Sequence, residues 1–205
     1  MRECLNPECR LRIPDDLDSS SFFYCPHCGS EMKVECSFIS SGIMMSHLHF
    51  KNQNNIHLIL DNIRSAYNVG SILRTAEGFG VTQVHICGIT QTPEHAKIKK
   101  TSLGSENTIS WDYCKNGLHI VTELKNAGCL IYCLESVSFG KPIIDISPLM
   151  KKPIALVCGN ELTGIDPAIL SICHEIIEIP MSGVKSSFNV AVATGIALFF
   201  LRYQA

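Results

Sequence analysis

The sequence has no run of apolar residues long enough to cross a membrane. Its longest such run, Val190 to Leu201, contains Thr194 and Gly195 and falls short of the about 18 to 20 residues that a bilayer requires. The N-terminus, MRECLNPECR, has no apolar segment behind its charges, which argues against a targeting signal. We therefore expect a cytoplasmic protein without a membrane partner.

An excess of charge of either sign is also missing. The 205 residues carry a formal net charge of −2, so a nucleic-acid partner would have to bind a local basic patch. The local basic segment is HAKIKK, residues 95–100, which we place in a loop after a strand. A solvated run of charges explains this segment about equally well, so its spacing alone does not assign it to RNA.

Two common nucleotide-binding motifs are absent from the sequence. No G-x-G-x-x-G follows a predicted strand, because Gly78 and Gly80 close a helix rather than open one. No G-x-x-x-x-G-K-[ST] occurs either. These absences argue against a dinucleotide-dependent dehydrogenase and against a P-loop NTPase.

Cysteine, in contrast, is abundant and unevenly distributed. The chain has eleven, an odd number, and most of the later ones lie in apolar runs, where free cysteine acts as a small core residue. A reducing compartment fits both observations. The first 28 residues contain a C-x4-C pair and a C-x2-C pair, which consist of Cys4, Cys9, Cys25 and Cys28.

This spacing predicts one structural zinc ion bound by four thiolates. The proline and glycine of CPHCG bend the backbone so that two sulfurs face one metal, and so small a unit needs a metal to fold. A pair of disulfides and chance clustering are the alternatives. His27 lies between two of the cysteines and is expected to be exposed, and Cys36 lies outside both pairs. We assign residues 1–36 to a zinc-ribbon-like unit.

The rest of the chain alternates short β-rich runs with helical patterns. Residues 37–55 have no sustained period and are typical of a linker, and residues 56–205 form the second domain. The predicted strands cover residues 57–62, 83–88, 129–135, 153–159 and 175–180, and the predicted helices cover 68–79, 117–127, 167–173 and 189–203. This alternation predicts an α/β fold, a mostly parallel sheet with helices on both faces, whose ligands bind at the carboxyl ends of the strands.

Three loops at strand ends carry unusual residues. The first leads into NVGSILRTA, which contains Asn68 and Arg74, and the second is LVCGNELTGI, which contains Gly159 and Glu161. The third is IPMSGVKSSFNVAVA, in which small residues precede Asn189. Taken alone, each loop has a simpler explanation, since Asn189 is a good helix cap and Glu161 a good first-turn charge.

In this order, the three loops resemble the motifs of the SpoU (TrmH-like) family of SPOUT RNA 2′-O-ribose methyltransferases. The matching residues are Asn68, Gly70 and Arg74 in motif one, Gly159, Glu161 and Gly164 in motif two, and Ile179, Pro180, Met181, Gly183, Ser187 and Asn189 in motif three. The resemblance covers residues 56 to 203 and includes KKTSLGSENTISW, residues 99–111. Two departures are Phe188, where leucine is usual, and Ala191, where serine is common.

The resemblance implies a C-terminal trefoil knot that holds S-adenosylmethionine chiefly through backbone groups. The implied cofactor contacts are Leu134, Gly159, Ile179, Met181, Gly183, Ser187 and Phe188. The implied catalytic set is Arg74, Asn68, Glu161, Ser187 and Asn189. Family members are homodimers in which the motif-one arginine of one subunit faces the cofactor of the other.

Arg74 is an unusual choice for the proton-abstracting role that the resemblance assigns to it, because its guanidinium is normally always charged. The planar guanidinium group, whose N–H donors form a fork, can instead bind a phosphate through two parallel hydrogen bonds. It can also orient the neighbouring 2′-hydroxyl. We predict an S-adenosylmethionine-dependent RNA 2′-O-ribose methyltransferase, with tRNA favoured over rRNA. The alternatives are a non-catalytic RNA-binding or assembly protein of the same fold, and an RNA base methyltransferase.

Overall fold

The computed structural model of the chain describes most of its residues, namely 2–14, 23–34, 55–137, 139–146 and 152–203. The chain divides into two compact units, Met1–His49 and Phe50–Ala205. Cys36 and all but the last residue of the predicted linker, 37–55, lie outside the described residues.

A small antiparallel sheet organises the first unit. Its strands are β1 (Arg2–Cys4), β2 (Arg12–Ile13) and β3 (Met32–Val34). They lie in the order β2-β1-β3, and Cys4, Cys25 and Met32 form the buried cluster. Within residues 2–14 and 23–34, a core of this size is too small to stabilise the fold by apolar burial alone.

A seven-stranded parallel sheet forms the centre of the second unit. Its strands are β4 (Ile56–Asp61), β5 (Gln83–Cys87), β6 (Trp111–Cys114), β7 (Leu130–Leu134), β8 (Lys141–Pro142), β9 (Ile154–Cys158) and β10 (Glu175–Glu178). They lie in the order β6-β5-β4-β9-β7-β10-β8, and every pair is parallel. The five predicted strands are confirmed, and the trefoil knot stays a prediction.

In the part of the second unit that the structure describes, five α-helices accompany this sheet. They are α1 (Ala66–Gly78), α2 (Ala96–Ser102), α3 (Gly117–Asn126), α4 (Pro167–Ile172) and α5 (Val190–Tyr203). The four predicted helices are confirmed to within two residues at each end. Within the described ranges, none of the helices has both the length and the apolar character needed to cross a bilayer.

The side chains of the central strands alternate between two buried layers. In β4, Leu58 and Leu60 belong to the cluster that includes α1 and α5, whereas Ile59 belongs to the cluster that includes α3 and α4. Because both faces are buried, these strands are apolar almost throughout, as is usual in parallel sheets. The prediction of helices on both faces is confirmed.

The placement of residues 95–100 in a loop is wrong, because most of them form the first turns of α2. The ring nitrogen Nδ1 of His95 accepts a hydrogen bond from the Lys97 backbone N–H at 3.2 Å and so caps the helix. Ile98 and Ser102, four residues apart, are its buried residues. A single turn of apolar spacing within a lysine-rich run gave too weak a periodic signal to indicate a helix.

Candidate functional site

A cavity of about 270 Å³ opens at the carboxyl ends of β7, β9 and β10. The loops that line it are the ones in which an α/β sheet is expected to bind a ligand. Its lining residues are Leu134, Glu135, Ser136, Cys158, Gly159, Asn160, Glu161, Ile179, Ser186, Ser187, Phe188, Asn189, Val190 and Ala193.

Most of the predicted cofactor contacts meet in this cavity. They are Leu134, Gly159, Ile179, Ser187 and Phe188. Met181 and Gly183 belong to the same loop after β10 but are not among the lining residues. Their contact with a cofactor stays a prediction.

Gly159 lies where a side chain has no room. A Cβ atom built on Gly159 would be 2.6 Å from both Cγ1 and the backbone N of Ile165. The turn that follows β9 therefore folds back directly over the end of its own strand. Since only glycine permits this approach, any other residue at position 159 must displace the turn.

Asn160 holds the shape of this turn, a role that the sequence did not predict. Its backbone exchanges two hydrogen bonds with Gly164, at 3.1 and 2.9 Å, and its side-chain oxygen accepts from the Leu162 N–H at 2.9 Å. Its side-chain amide donates to the carbonyl of Asn62 at 2.8 Å, so the turn is joined to the end of β4. An asparagine between two motif glycines is the signal that could have indicated this role.

Glu135 is a second residue that the sequence did not predict. Its carboxylate accepts hydrogen bonds from the backbone N–H groups of Ile165, at 2.9 Å, and Ser136, at 3.1 Å. The Ser136 hydroxyl donates to the carbonyl of Ser186 at 2.7 Å. The loop after β7 thereby holds both of the other loops that line the cavity.

Glu161 joins motif two to the start of α1. Its carboxylate accepts from the backbone N–H groups of Arg64, at 2.8 Å, and Ser65, at 3.1 Å, and from the side-chain amide of Asn68 at 3.0 Å. Burial would raise the pKa of Glu161, but these hydrogen bonds outweigh it and the pKa lies below its ordinary value. The side chain is therefore an ionised acceptor at neutral pH.

Asn68 extends the same network to motif three. Its side-chain oxygen accepts from the amide of Asn189 at 3.1 Å, across 121 positions of sequence. The oxygen of Asn189 in turn accepts from the Ala191 N–H at 2.9 Å, so Asn189 caps α5 as its simpler interpretation expected. The structure thus brings Glu161, Asn68 and Asn189 together beside the cavity.

Arg74 is separate from this network. It lies in α1, is exposed, and is not among the residues that line the cavity of its own chain. Of the five predicted catalytic residues, Glu161, Ser187 and Asn189 line the cavity and Asn68 contacts two of them.

Within the first unit, the four predicted metal ligands form one cluster. The sulfur atoms of Cys4, Cys9, Cys25 and Cys28 all lie within 4.8 Å of one another. The Cys4–Cys28 and Cys9–Cys25 sulfurs are 3.4 and 3.8 Å apart, close to the roughly 3.8 Å that sulfurs 2.3 Å from a tetrahedral zinc require. The arrangement fits a closed four-thiolate zinc site.

Loss of the Glu161 carboxylate should loosen the junction of the loops. We expect Glu161→Ala to lower the free energy of unfolding by about 1–2 kcal/mol, because three N–H donors lose a charged acceptor at a partly exposed position. Urea denaturation measures this change. The control is Glu123→Ala, which removes an exposed carboxylate 3.4 Å from His119 and should cost less than about 0.5 kcal/mol. Equal losses in the two variants would contradict the prediction.

Known proteins resemble this chain over most of its length. The chain is 33% identical over 164 residues to a tRNA (guanosine(18)-2′-O)-methyltransferase of Aquifex aeolicus, with 75% of this chain and 72% of that protein covered. It is 32% identical over 142 residues to the 23S rRNA (guanosine-2′-O-)-methyltransferase RlmB of Xanthomonas axonopodis, with 69% of this chain and 56% of that protein covered. The chain therefore spans little more than half of some relatives.

Solved structures share the fold. A crystal structure of the A. aeolicus TrmH/SpoU tRNA modifying enzyme superposes with a TM-score of 0.67 at 29% identity, over 75% of this chain and 77% of that one. An AdoMet-bound rRNA methyltransferase from Sinorhizobium meliloti gives a TM-score of 0.68 at 26% identity, over 73% of this chain and 56% of that one. Residues 55–199, which include all three loops of the site, match the SpoU rRNA Methylase family, and the chain belongs to that family.

Proposed function

We propose that the protein transfers a methyl group from S-adenosylmethionine to the 2′-hydroxyl of a ribose in RNA. The observation that carries the proposal is the hydrogen-bond network of Glu161, Asn68 and Asn189, which joins all three motifs beside one cavity. The names of the relatives, which are guanosine 2′-O-methyltransferases of tRNA and rRNA, support the same reaction.

The cavity has the chemical character that an adenosyl group requires. Leu134, Ile179 and Phe188 offer apolar surface to a flat purine, and the Ser187 hydroxyl offers a hydrogen bond to a ribose. S-adenosylmethionine supplies an electrophilic methyl group when it is bound there. Glu135 and Asn160 hold the turns that line the cavity through hydrogen bonds. These turns fix the position of the ligand.

Arg74 acts on the RNA in this proposal. Its guanidinium holds a substrate phosphate through two parallel hydrogen bonds and orients the adjacent 2′-hydroxyl. Its positive charge also stabilises the negative charge that develops on that oxygen as the methyl group is transferred. Asn68 and Glu161 hold the start of α1, the helix that carries Arg74, against the loop after β9.

The proposed assembly is a homodimer that places Arg74 of one subunit at the cavity of the other. Two observations support it. Arg74 does not line the cavity of its own chain, and α5 presents apolar side chains to solvent, with Val192 51% and Phe199 57% exposed. Phe199 also packs against Phe79 and Tyr203 in a cluster of aromatic rings. An apolar helix face of this kind is typical of a subunit interface.

The first unit is proposed to bind one structural zinc ion through Cys4, Cys9, Cys25 and Cys28. With four protein ligands the site has no open position for water, so the metal stabilises this unit and takes no part in methyl transfer. We also propose a cytoplasmic location, which fits the odd number of cysteines and an RNA substrate.

Transfer of radioactive methyl groups from S-adenosylmethionine to unmodified tRNA and rRNA transcripts tests the reaction, and mapping of 2′-O-methyl positions in total RNA from a deletion strain identifies the substrate. We expect a 2′-O-methylated nucleotide in tRNA that is missing in the deletion strain. A methylated base would support the base methyltransferase instead. Failure to bind the cofactor or transfer methyl groups, in a folded protein that binds RNA, would support the non-catalytic alternative.

A further inference from the structure

The helix α2 packs closely against the N-terminal half of α1. A Cβ atom on Gly70 would collide with the Thr101 hydroxyl and the Ile98 carbonyl, so the two helices touch at their backbones. The Thr101 hydroxyl donates to the carbonyl of Tyr67 at 3.1 Å and strengthens the contact. Gly70 is a motif residue of the helix that carries Arg74, so α2 has a fixed position relative to Arg74.

This contact places an aromatic ring beside a lysine of α2. Tyr67 is 47% exposed, and the Lys97 ammonium lies 6.0 Å from the centre of its ring. Lys100 follows Lys97 by three residues and therefore lies on the same side of α2. Both lysines are exposed. We call Tyr67, Lys97 and Lys100 the α2 ridge.

The third lysine of the helix has different neighbours. Hydrogen bonds from Thr92 and Ser102 lower the pKa of Glu94 and Glu106, respectively, and the positive charge of Lys99 lowers both further. Lys99 therefore has two carboxylates in its electrostatic surroundings. The cationic side of α2 is the side that carries Lys97 and Lys100.

We propose that the α2 ridge binds the RNA substrate next to the nucleotide that is methylated. Lys97 and Lys100 bind successive phosphates, and the Tyr67 ring stacks on an unpaired base. Proteins commonly bind single-stranded RNA without sequence preference by stacking its bases on exposed aromatic rings that lie near cationic side chains. A chain with a net charge of −2 has no general attraction for RNA, so a local cationic surface has to provide it. This inference rests on the proposed function, because it takes RNA to be the substrate.

Equilibrium binding of an unmodified tRNA transcript to the full-length protein, measured over a range of salt concentrations, tests the ridge. The double variant Lys97→Ala, Lys100→Ala should bind about tenfold more weakly, and the slope of log K against log salt should fall in magnitude by about 1.5. Each single variant, Lys97→Ala or Lys100→Ala, should lower the magnitude of the slope by about 0.7, whereas Lys99→Ala, which also removes one lysine from the same helix, should change the slope by less than half as much as either. Affinity for S-adenosylmethionine should be unchanged in all of them.

Two further variants test the stacking role. Tyr67→Ala should weaken RNA binding at least about fivefold, whereas Tyr67→Phe, which keeps the ring, should bind like the wild type. Wild-type affinity and salt slope in the double variant, or an equal effect of Lys99→Ala, would overturn the ridge. RNA binding through the ridge without methyl transfer would leave the ridge standing and remove the proposed reaction. Normal methyl transfer by the double variant would leave the proposed reaction standing and overturn the ridge.

Discussion

Replacing Arg74 with alanine should lower the rate of methyl transfer by at least about 10²- to 10³-fold, because the substrate loses its guanidinium contact in the transition state. Affinity for S-adenosylmethionine should stay within about twofold of the wild type, since the proposed role of Arg74 is to contact the RNA rather than the cofactor. Single-turnover transfer and calorimetry measure the two quantities. Arg74→Lys should restore little activity because an ammonium cannot reproduce the planar fork. Near-normal turnover by Arg74→Ala would show that another residue is catalytic.

The same variant tests whether Arg74 acts across a dimer. Gly159→Val should destroy the cavity of its own chain, because even a Cβ atom at position 159 would lie 2.6 Å from Ile165. In a co-expressed heterodimer of Arg74→Ala with Gly159→Val, the intact cavity and the intact arginine belong to different chains. Activity in the heterodimer, with none in either parent homodimer, is the expected result. An inactive heterodimer that remains assembled would place Arg74 at the cavity of its own chain.

The sheet was predictable because it is buried on both faces. The strands IHLILD and IALVC are apolar almost throughout, and no amphipathic helix has that pattern. The edge strands β6 and β8 were missed for the opposite reason. One has two exposed residues, Asp112 and Tyr113, and the other has only two residues, one of them a proline. An edge strand pairs with a neighbour on one side only and is partly exposed. Its sequence therefore shows less of the apolar pattern that identifies a buried strand.

The site was predictable only as three separate loops. Resemblance indicated Glu161, Asn68 and Asn189, but the hydrogen bond across 121 residues depends on where the sheet brings the loops together. Glu135 gave no signal, because it supports another loop's backbone and belongs to no spaced motif. Resemblance therefore pointed to residues that lie in the three motifs, whereas Glu135 and Asn160, which support the same loops without belonging to the motif pattern, were not predicted.

Loss of zinc should unfold the first unit and leave the second unit intact. Metal analysis of the purified protein should give one zinc per chain, and the double variant Cys25→Ser, Cys28→Ser should bind almost none, because two of four thiolates are removed. A small zinc domain draws about 10–16 kcal/mol of apparent binding free energy from its metal, far more than the cluster of Cys4, Cys25 and Met32 can supply. The control is Cys129→Ser, which removes a buried thiol of the second unit and should keep its zinc.

Hydrogen exchange in the chelated protein distinguishes local from global unfolding. We expect rapid exchange at β1, β2 and β3, with unchanged protection of β4 and β9, because the second unit has its own core on both faces of its sheet. Affinity for S-adenosylmethionine should persist, since all of the cavity lining belongs to the second unit. Absence of zinc from the wild type, or a full complement in the double variant, would contradict a metal role for these cysteines. Loss of cofactor binding together with zinc would instead show that the second unit depends on the first for its fold.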